Sequence, residues 1–221
     1  FIPRLHVPGA DAFSVAPVRN IIHIPDECKE SPGGSPCVRS AGFIYQTETV
    51  MIDTLATSPE LECSGAEIAF LPVGACEQHF GLLPLNTDIF QSECLARDIG
   101  SHFNSFICPP LPYGTSLENT GRPGTLTLMP GTLSMVVRDL VESLYNQGFG
   151  LVAIINSHGG NFALRPAVRE INYRNAGRKT IFVDPWEIVP ADECAKIFES
   201  RNDTHCGEIE TSVMLPRASR W

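Results

Sequence analysis

Leu151-Val152-Ala153-Ile154-Ile155-Asn156 runs directly into Ser157-His158-Gly159-Gly160-Asn161. The first stretch is continuous, uncharged and rich in β-branched side chains, which predicts a strand covered on both faces rather than one with a wet side. Strands of that kind belong to parallel sheets packed between helices. The polar, glycine-containing turn that follows lies where such sheets keep their sites, beyond the carboxyl ends of the strands.

Working outward, the same alternation of strand and helix recurs. Upstream, Thr132 to Gln147 reads as a helix, with Leu133, Val136, Val137, Leu140, Val141 and Leu144 on the 3.6 period and Gly148 as its stop. Ala66 to Val73 is a second buried strand, ended by Gly74. Thr87 to Phe103 follows as a helix with Ile89, Phe90, Cys94, Leu95 and Ile99 near one face, and Phe106 to Leu111 is a proline-limited strand. Downstream, Phe162 to Asn175 is helical if Pro166 falls in the first turn. Lys179 to Asp184 is a strand closed by Pro185. The pattern predicts an α/β domain over residues 46–221 with a mostly parallel sheet and helices on both faces. Residues 1–45 differ: Pro3, Pro8, Pro17, Pro25, Pro32 and Pro36 punctuate a loop-rich N-terminal arm.

Composition excludes several classes. With 43% hydrophobic and 19% charged residues, the 221-residue chain is of ordinary globular type. A net charge of −9 without a Lys/Arg cluster argues against nucleic acid as a partner. No apolar run reaches the roughly 18–20 residues of a membrane helix. The chain opens on Phe1 rather than Met, which fits a processed or trimmed start. The expected compartment is the cytoplasm or an organelle matrix. The eight cysteines lack CxxC spacing, so a zinc ribbon is not expected; they read as buried or half-buried thiols, with a Cys28–Cys37 disulfide as the one pairing to consider.

Three strand ends carry ligand-type residues. After Val73 comes Gly74-Ala75-Cys76-Glu77-Gln78-His79, after Ile155 comes Asn156-Ser157-His158, and after Val183 comes Asp184-Pro185-Trp186. Glu77 and His79 are two apart, so in extended chain they face the same way. Asp88 falls at the next helix start, with Asn86 and Thr87 as candidate N-caps. His158 approaches from a neighbouring strand end, where Gly159 and Gly160 allow close backbone approach. Singly, each residue has a structural explanation: a hydrogen-bonded histidine, a helix cap, a solvated charge. Together, O and N donors without thiolate suit Zn²⁺, Mn²⁺ or Fe²⁺, and an Asp can bridge two ions. Trp186 and Tyr113 are candidate pocket walls.

These segments resemble the creatininase family. Leu71-Pro72-Val73-Gly74-Ala75-Cys76-Glu77-Gln78-His79 with Leu83-Pro84-Leu85-Asn86-Thr87-Asp88 is similar to its first motif. Leu111-Pro112-Tyr113-Gly114 with Gly121-Arg122-Pro123-Gly124-Thr125-Leu126 is similar to its second. Asn156 to Asn161 matches the third and His205-Cys206-Gly207-Glu208-Ile209-Glu210-Thr211-Ser212 the fourth. The resemblance implies a three-layer αβα domain, a site for one or two divalent ions, and hydrolysis of a C–N bond in an amide, formamide, cyclic amide or small peptide. By position it implies Glu77, His79, Asp88 and His158 as metal ligands, with Asp88 the bridge. It also implies Glu208 as the carboxylate completing the site and His205 as acid/base, with Glu210 able to exchange roles with Glu208. A homo-oligomer acting on a small-molecule amide is expected, with non-peptide or cyclic amides as the favoured substrates.

There are departures. Creatininase itself is similar except for a Glu two residues after the third-motif His, where this chain has Gly160; that looks more like the formamide hydrolase and peptidase branches. Phe80 replaces the glycine usual after Glu-Gln-His, and the chain stops soon after Thr211-Ser212, where relatives continue. These features motivate an alternative: a catalytically inactive relative with a structural or interaction role.

Overall fold

The computed structural model describes residues 49–200 and 205–215. The arm over residues 1–45 and the Cys28–Cys37 pair lie outside the described residues. Five strands form one sheet: β1 (Met51–Asp53), β2 (Ile68–Val73), β3 (Ser105–Ile107), β4 (Leu151–Asn156) and β5 (Lys179–Val183). Every pairing is parallel, in the order β1-β3-β2-β4-β5. Between and after them lie α1 (Ser58–Ser64), α2 (Thr87–Gly100), α3 (Pro130–Asn146), α4 (Leu164–Arg174), α5 (Pro185–Ile188), α6 (Ala191–Ile197) and α7 (Glu208–Met214).

Side-chain alternation sorts the sheet's two faces. Ala69, Leu71 and Val73 of β2 with Val152 and Ile154 of β4 point to one face, where Leu133, Val137, Val141 and Leu144 of α3 and Leu164, Val168 and Ile171 of α4 cover them. Ile68, Phe70, Ala153 and Ile155 point to the other, under Ala96, Leu95 and Ile99 of α2; α7 packs on α2. The result is three layers, as the resemblance implied. A fully buried Val or Leu contributes about 1.5–3 kcal/mol, so the α3 face alone supplies a large share of the core.

The expected elements recur with shifted ends. The strand expected over Phe106–Leu111 is only Ser105–Ile107, because Pro109 and Pro110 have no N–H to donate to the ladder. Leu111 rejoins through its N–H to the Pro72 carbonyl at 2.9 Å. Pro166 is the third residue of α4, inside the first turn where it is tolerated. Gly148, at φ 102°, follows α3 and donates its N–H to Tyr145.

Strand order fixes where a site can form. From β2 the chain crosses over α2 to β3 on one side; from β4 it crosses over α4 to β5 on the other. The loops after β2 and β4 therefore diverge and leave a crevice between them, the switch point of an open parallel sheet.

Candidate metal centre

The crevice at the carboxyl ends of β2 and β4 gathers five buried ligand-type side chains. Glu77, His79 and Asp88 each expose 1% or less, and His158 and Glu210 are also buried. Gly74 makes the gathering possible, since a Cβ there would strike the backbone of Asp88 and Ile89. The start of α2 can thus sit directly on the end of β2. Ser157 Oγ donates to the Asp88 carbonyl, tying that helix start to the end of β4. Asp88 lies in the first turn of α2, where the helix dipole favours a carboxylate. Asn86 occupies the N-cap position but its side chain makes no capping bond; Thr87 Oγ1 instead donates to the Pro84 carbonyl.

Asp88 divides its two oxygens. Oδ1 lies 3.4 Å from His79 Nε2 and Oδ2 lies 3.2 Å from His158 Nδ1. Glu77 Oε1 is 3.4 Å from His158 Nδ1, and Glu210 Oε2 is 3.8 Å from His79 Nε2. Two groups of three follow, Glu77–Asp88–His158 and His79–Asp88–Glu210, each with ligand atoms within 4.8 Å of one another. Glu77, His79 and His205 make a third such group.

The donor set fits a divalent ion. Two ligands each about 2.1 Å from a tetrahedral ion stand about 3.4 Å apart. The observed separations cluster around that value and are long for direct hydrogen bonds. His79 Nε2 and Asp88 Oδ2 are buried with no hydrogen-bond partner, a costly state unless something else binds them. Each imidazole has its other nitrogen committed: His79 Nδ1 lies 3.1 Å from the Glu77 carbonyl and His158 Nε2 lies 2.9 Å from the Thr115 carbonyl. A carbonyl only accepts, so those nitrogens carry protons, which leaves the facing nitrogens as the ones that would bind a metal.

The carboxylates favour charged imidazoles here. Burial works against a charged His79, yet Asp88 and Glu210 outweigh it and push its pKa up to about 10. Burial likewise opposes the charges of Asp88 and His158. Pairing wins in both, holding Asp88 below and His158 above their ordinary values.

Around the ligands, Asn119 Nδ2 donates to Glu77 Oε2 at 2.9 Å, and Asn119 Oδ1 accepts from Gln78 Nε2 at 2.8 Å. His205 stands at the mouth, its ring 4.7 Å from that of His79. Its Nε2 lies 3.0 Å from the Gln78 carbonyl and its Nδ1 3.5 Å from Glu77 Oε1. A cleft of about 460 Å³ opens above, walled by Glu118, Asn119, Phe162, Trp186 and His205. Tyr113 is not among its lining residues. A second, almost wholly apolar hollow of about 320 Å³ lies between α3 and the loop after β3, with no charged side chain lining it among the described residues; the chemistry singles out the cleft. Phe80, at φ 51° and 69% exposed, leans outward beside His205 and does not cover the ligands.

The structure therefore brings together Glu77, His79, Asp88 and His158 and sets His205 at their edge. It does not bring in Glu208, whose carboxylate accepts the N–H groups of Glu199 and Ser200. Glu210 stands against His79 instead and accepts the Cys206 N–H. In α7 residues two apart lie on different sides, and residues four apart share one. Glu210 and Met214 are the buried pair, whereas Ser212, four residues after Glu208, is exposed. That spacing was the available signal. Thr115, on a loop, and Asn119, in a single 3₁₀ turn over Leu117–Asn119, have no periodicity and offered none.

A three-layer α/β domain with a carboxylate–imidazole constellation at its switch point is the class that fold and site define. The chain belongs to the creatininase family: the family model, described as creatinine amidohydrolase, matches residues 54–220. It is 31% identical over 167 residues to the mycofactocin precursor peptide peptidase of Mycolicibacterium smegmatis, covering 72% of this chain and 61% of that protein. It is 27% identical over 168 residues to the creatinine amidohydrolase of Pseudomonas putida, covering 69% of this chain and 65% of that protein. Among solved structures, a manganese creatininase superposes with a TM-score of 0.63 at 26% identity, covering 74% of this chain and 71% of the other. The chain thus spans less than two-thirds of the length of these curated relatives. Among the described residues no helix is long and apolar enough to cross a membrane.

Proposed function

We propose that the protein is a divalent-metal-dependent amidohydrolase that opens an amide C–N bond, peptide amides included. Glu77, Asp88 and His158 would hold one ion, and His79, Asp88 and Glu210 a second, with Asp88 shared. The observation that carries this reading is the division of Asp88 between two imidazoles at ligand-to-ligand spacing, beside two buried atoms without hydrogen bonds. Zinc, manganese or iron suits these donors, and one similar solved structure is named for manganese. When bound, such ions supply Lewis acidity toward a carbonyl and lower the pKa of water.

The chain's own residues do the rest. Asn119 fixes the orientation of Glu77. His205 keeps Nε2–H on the Gln78 carbonyl, which leaves the Nδ1 lone pair at the cleft to take a proton from the attacking water and pass it to the departing nitrogen. Phe162 and Trp186 give the cleft apolar wall surface. Among the described residues no Lys or Arg lines the cleft. Restriction to non-peptide or cyclic amides is not part of the proposal, because relatives named as peptide peptidases are among the similar proteins. Glu208, a backbone-binding residue of the α6–α7 connection, is given no catalytic role. A homo-oligomer remains proposed, supported by exposed Leu82, Leu126 and Met129 on loops flanking the site; light scattering on the full-length protein tests it.

The test of function is elemental mass spectrometry on full-length protein purified without chelator, followed by an amide and peptide panel with and without EDTA. About two equivalents of metal per chain and chelator-sensitive hydrolysis are expected. Folded protein that takes up no ion and turns over nothing in the panel would establish the inactive-relative reading instead.

A further inference from the structure

Three loops leave the sheet at the site, after β2, β3 and β4, and one buried side chain joins them. Asn161 exposes 1% of its surface. Its Oδ1 accepts the Thr115 N–H at 2.9 Å; its Nδ2 donates to the Gly74 carbonyl at 3.2 Å and to Asn156 Oδ1 at 2.9 Å. Those partners fix which end of the amide is which, since an N–H only donates and a carbonyl only accepts. Asn156 Nδ2 in turn donates to the His158 carbonyl at 3.0 Å. The glycines around this knot have no room for a side chain. A Cβ at Gly114 would meet Asn161 Oδ1 and the Gly74 carbonyl; a Cβ at Gly160 would meet the Thr115 carbonyl and the His158 ring.

We propose that Asn161 is a positioning residue for His158: by holding the Thr115 backbone it presents the Thr115 carbonyl to His158 Nε2, so that Nδ1 alone faces Glu77 and Asp88. This rests on the metal reading for what Nδ1 then does, but the positioning itself does not. The same geometry explains Gly160. The space a side chain there would need is filled by the Thr115 carbonyl that orients the histidine.

The Nε2–H of His158 donates to Thr115 whether the imidazole is neutral or charged, which gives a readout independent of metal. In metal-free protein labelled with ¹⁵N-histidine, and with His158→Gln to assign the signal, the Nε2–H of His158 is expected to be protected from solvent exchange. Asn161→Ala is expected to speed that exchange at least tenfold and to weaken zinc binding roughly 10–100-fold, as loss of an outer-shell partner does. Tyr145→Phe controls for general destabilisation. It removes a buried hydrogen bond to Thr180 at the far end of the sheet, and should lower the melting temperature while leaving both readouts unchanged. If Asn161→Ala does not fold, Asn161→Ser, whose shorter side chain fills part of the space without the amide that holds the Thr115 N–H, makes the same test. A folded variant that keeps the protected Nε2–H and wild-type zinc affinity overturns the proposal. Wild-type protein that binds no zinc would instead sink the metal reading, and the exchange measurement would still decide the role of Asn161.

Discussion

Two regions of this molecule are buried to the same degree and are held in opposite ways. Leu133, Val137 and Val141 under the sheet, and Glu77, His79 and Asp88 at its mouth, all expose 1% or less. The first group gains from every atom removed from water. The second is costly to bury and is offset only by mutual pairing, incompletely, since His79 Nε2 and Asp88 Oδ2 lack hydrogen bonds. A fold does not need the second group; a site does. The apolar face supplies stability that the mouth spends on holding charges in place.

That contrast can be broken by substitution. Asp88→Ala removes the carboxylate that both ligand groups share. Turnover should fall roughly 10³-fold or more and bound metal should disappear, with circular dichroism preserved. Retained activity would mean the cluster is structural. Leu133→Ala should do the reverse, costing about 2–5 kcal/mol in denaturant unfolding with metal per chain unaltered. Metal lost in the folded fraction of that variant would show that core and mouth are one cooperative unit.

The comparison sharpens within α7, where two glutamates sit two residues apart. Glu210→Gln should weaken metal binding by one to two orders of magnitude, roughly the 1.4–2.8 kcal/mol that such factors represent. Glu208→Gln should leave affinity within about twofold, because its partners are the backbone N–H groups of Glu199 and Ser200. Equilibrium titration of both variants checks this, and the opposite ranking would return the ligand role to Glu208. The smallest effect expected is in thiol chemistry. Burial pushes Cys108 up to about 12, so at pH 8 it stays a protonated thiol, while Cys63 is exposed and open to iodoacetamide. Peptide mapping that found Cys108 labelled as fast as Cys63 in native protein would mean the α3 face opens readily.

Much of this was legible in the sequence because it is local. The apolar run Leu151–Ile155 specifies a buried strand wherever it lies, and the 3.6 spacing from Leu133 to Leu144 specifies a helix face. Strand ends followed by Glu77, His79 and His158 announce ligand chemistry at one edge of a parallel sheet. Those features depend on backbone periodicity, which a sequence writes directly. Pro109 and Pro110 were also visible, but their effect on β3 depended on the ladder they interrupt.

The tertiary structure alone decided three matters: that Asp88 splits its oxygens between two imidazoles, that Glu210 rather than Glu208 turns inward, and that Asn119, Thr115 and Asn161 orient the ligands. Each requires groups 40 or more residues apart to meet with a defined angle, as the Asn119 side chain meets that of Glu77 and the Asn161 side chain meets the Thr115 backbone N–H. Periodicity says which face a residue occupies. Which partner waits there is set by the order of strands in the sheet and by the room a missing Cβ leaves at Gly74, Gly114 and Gly160.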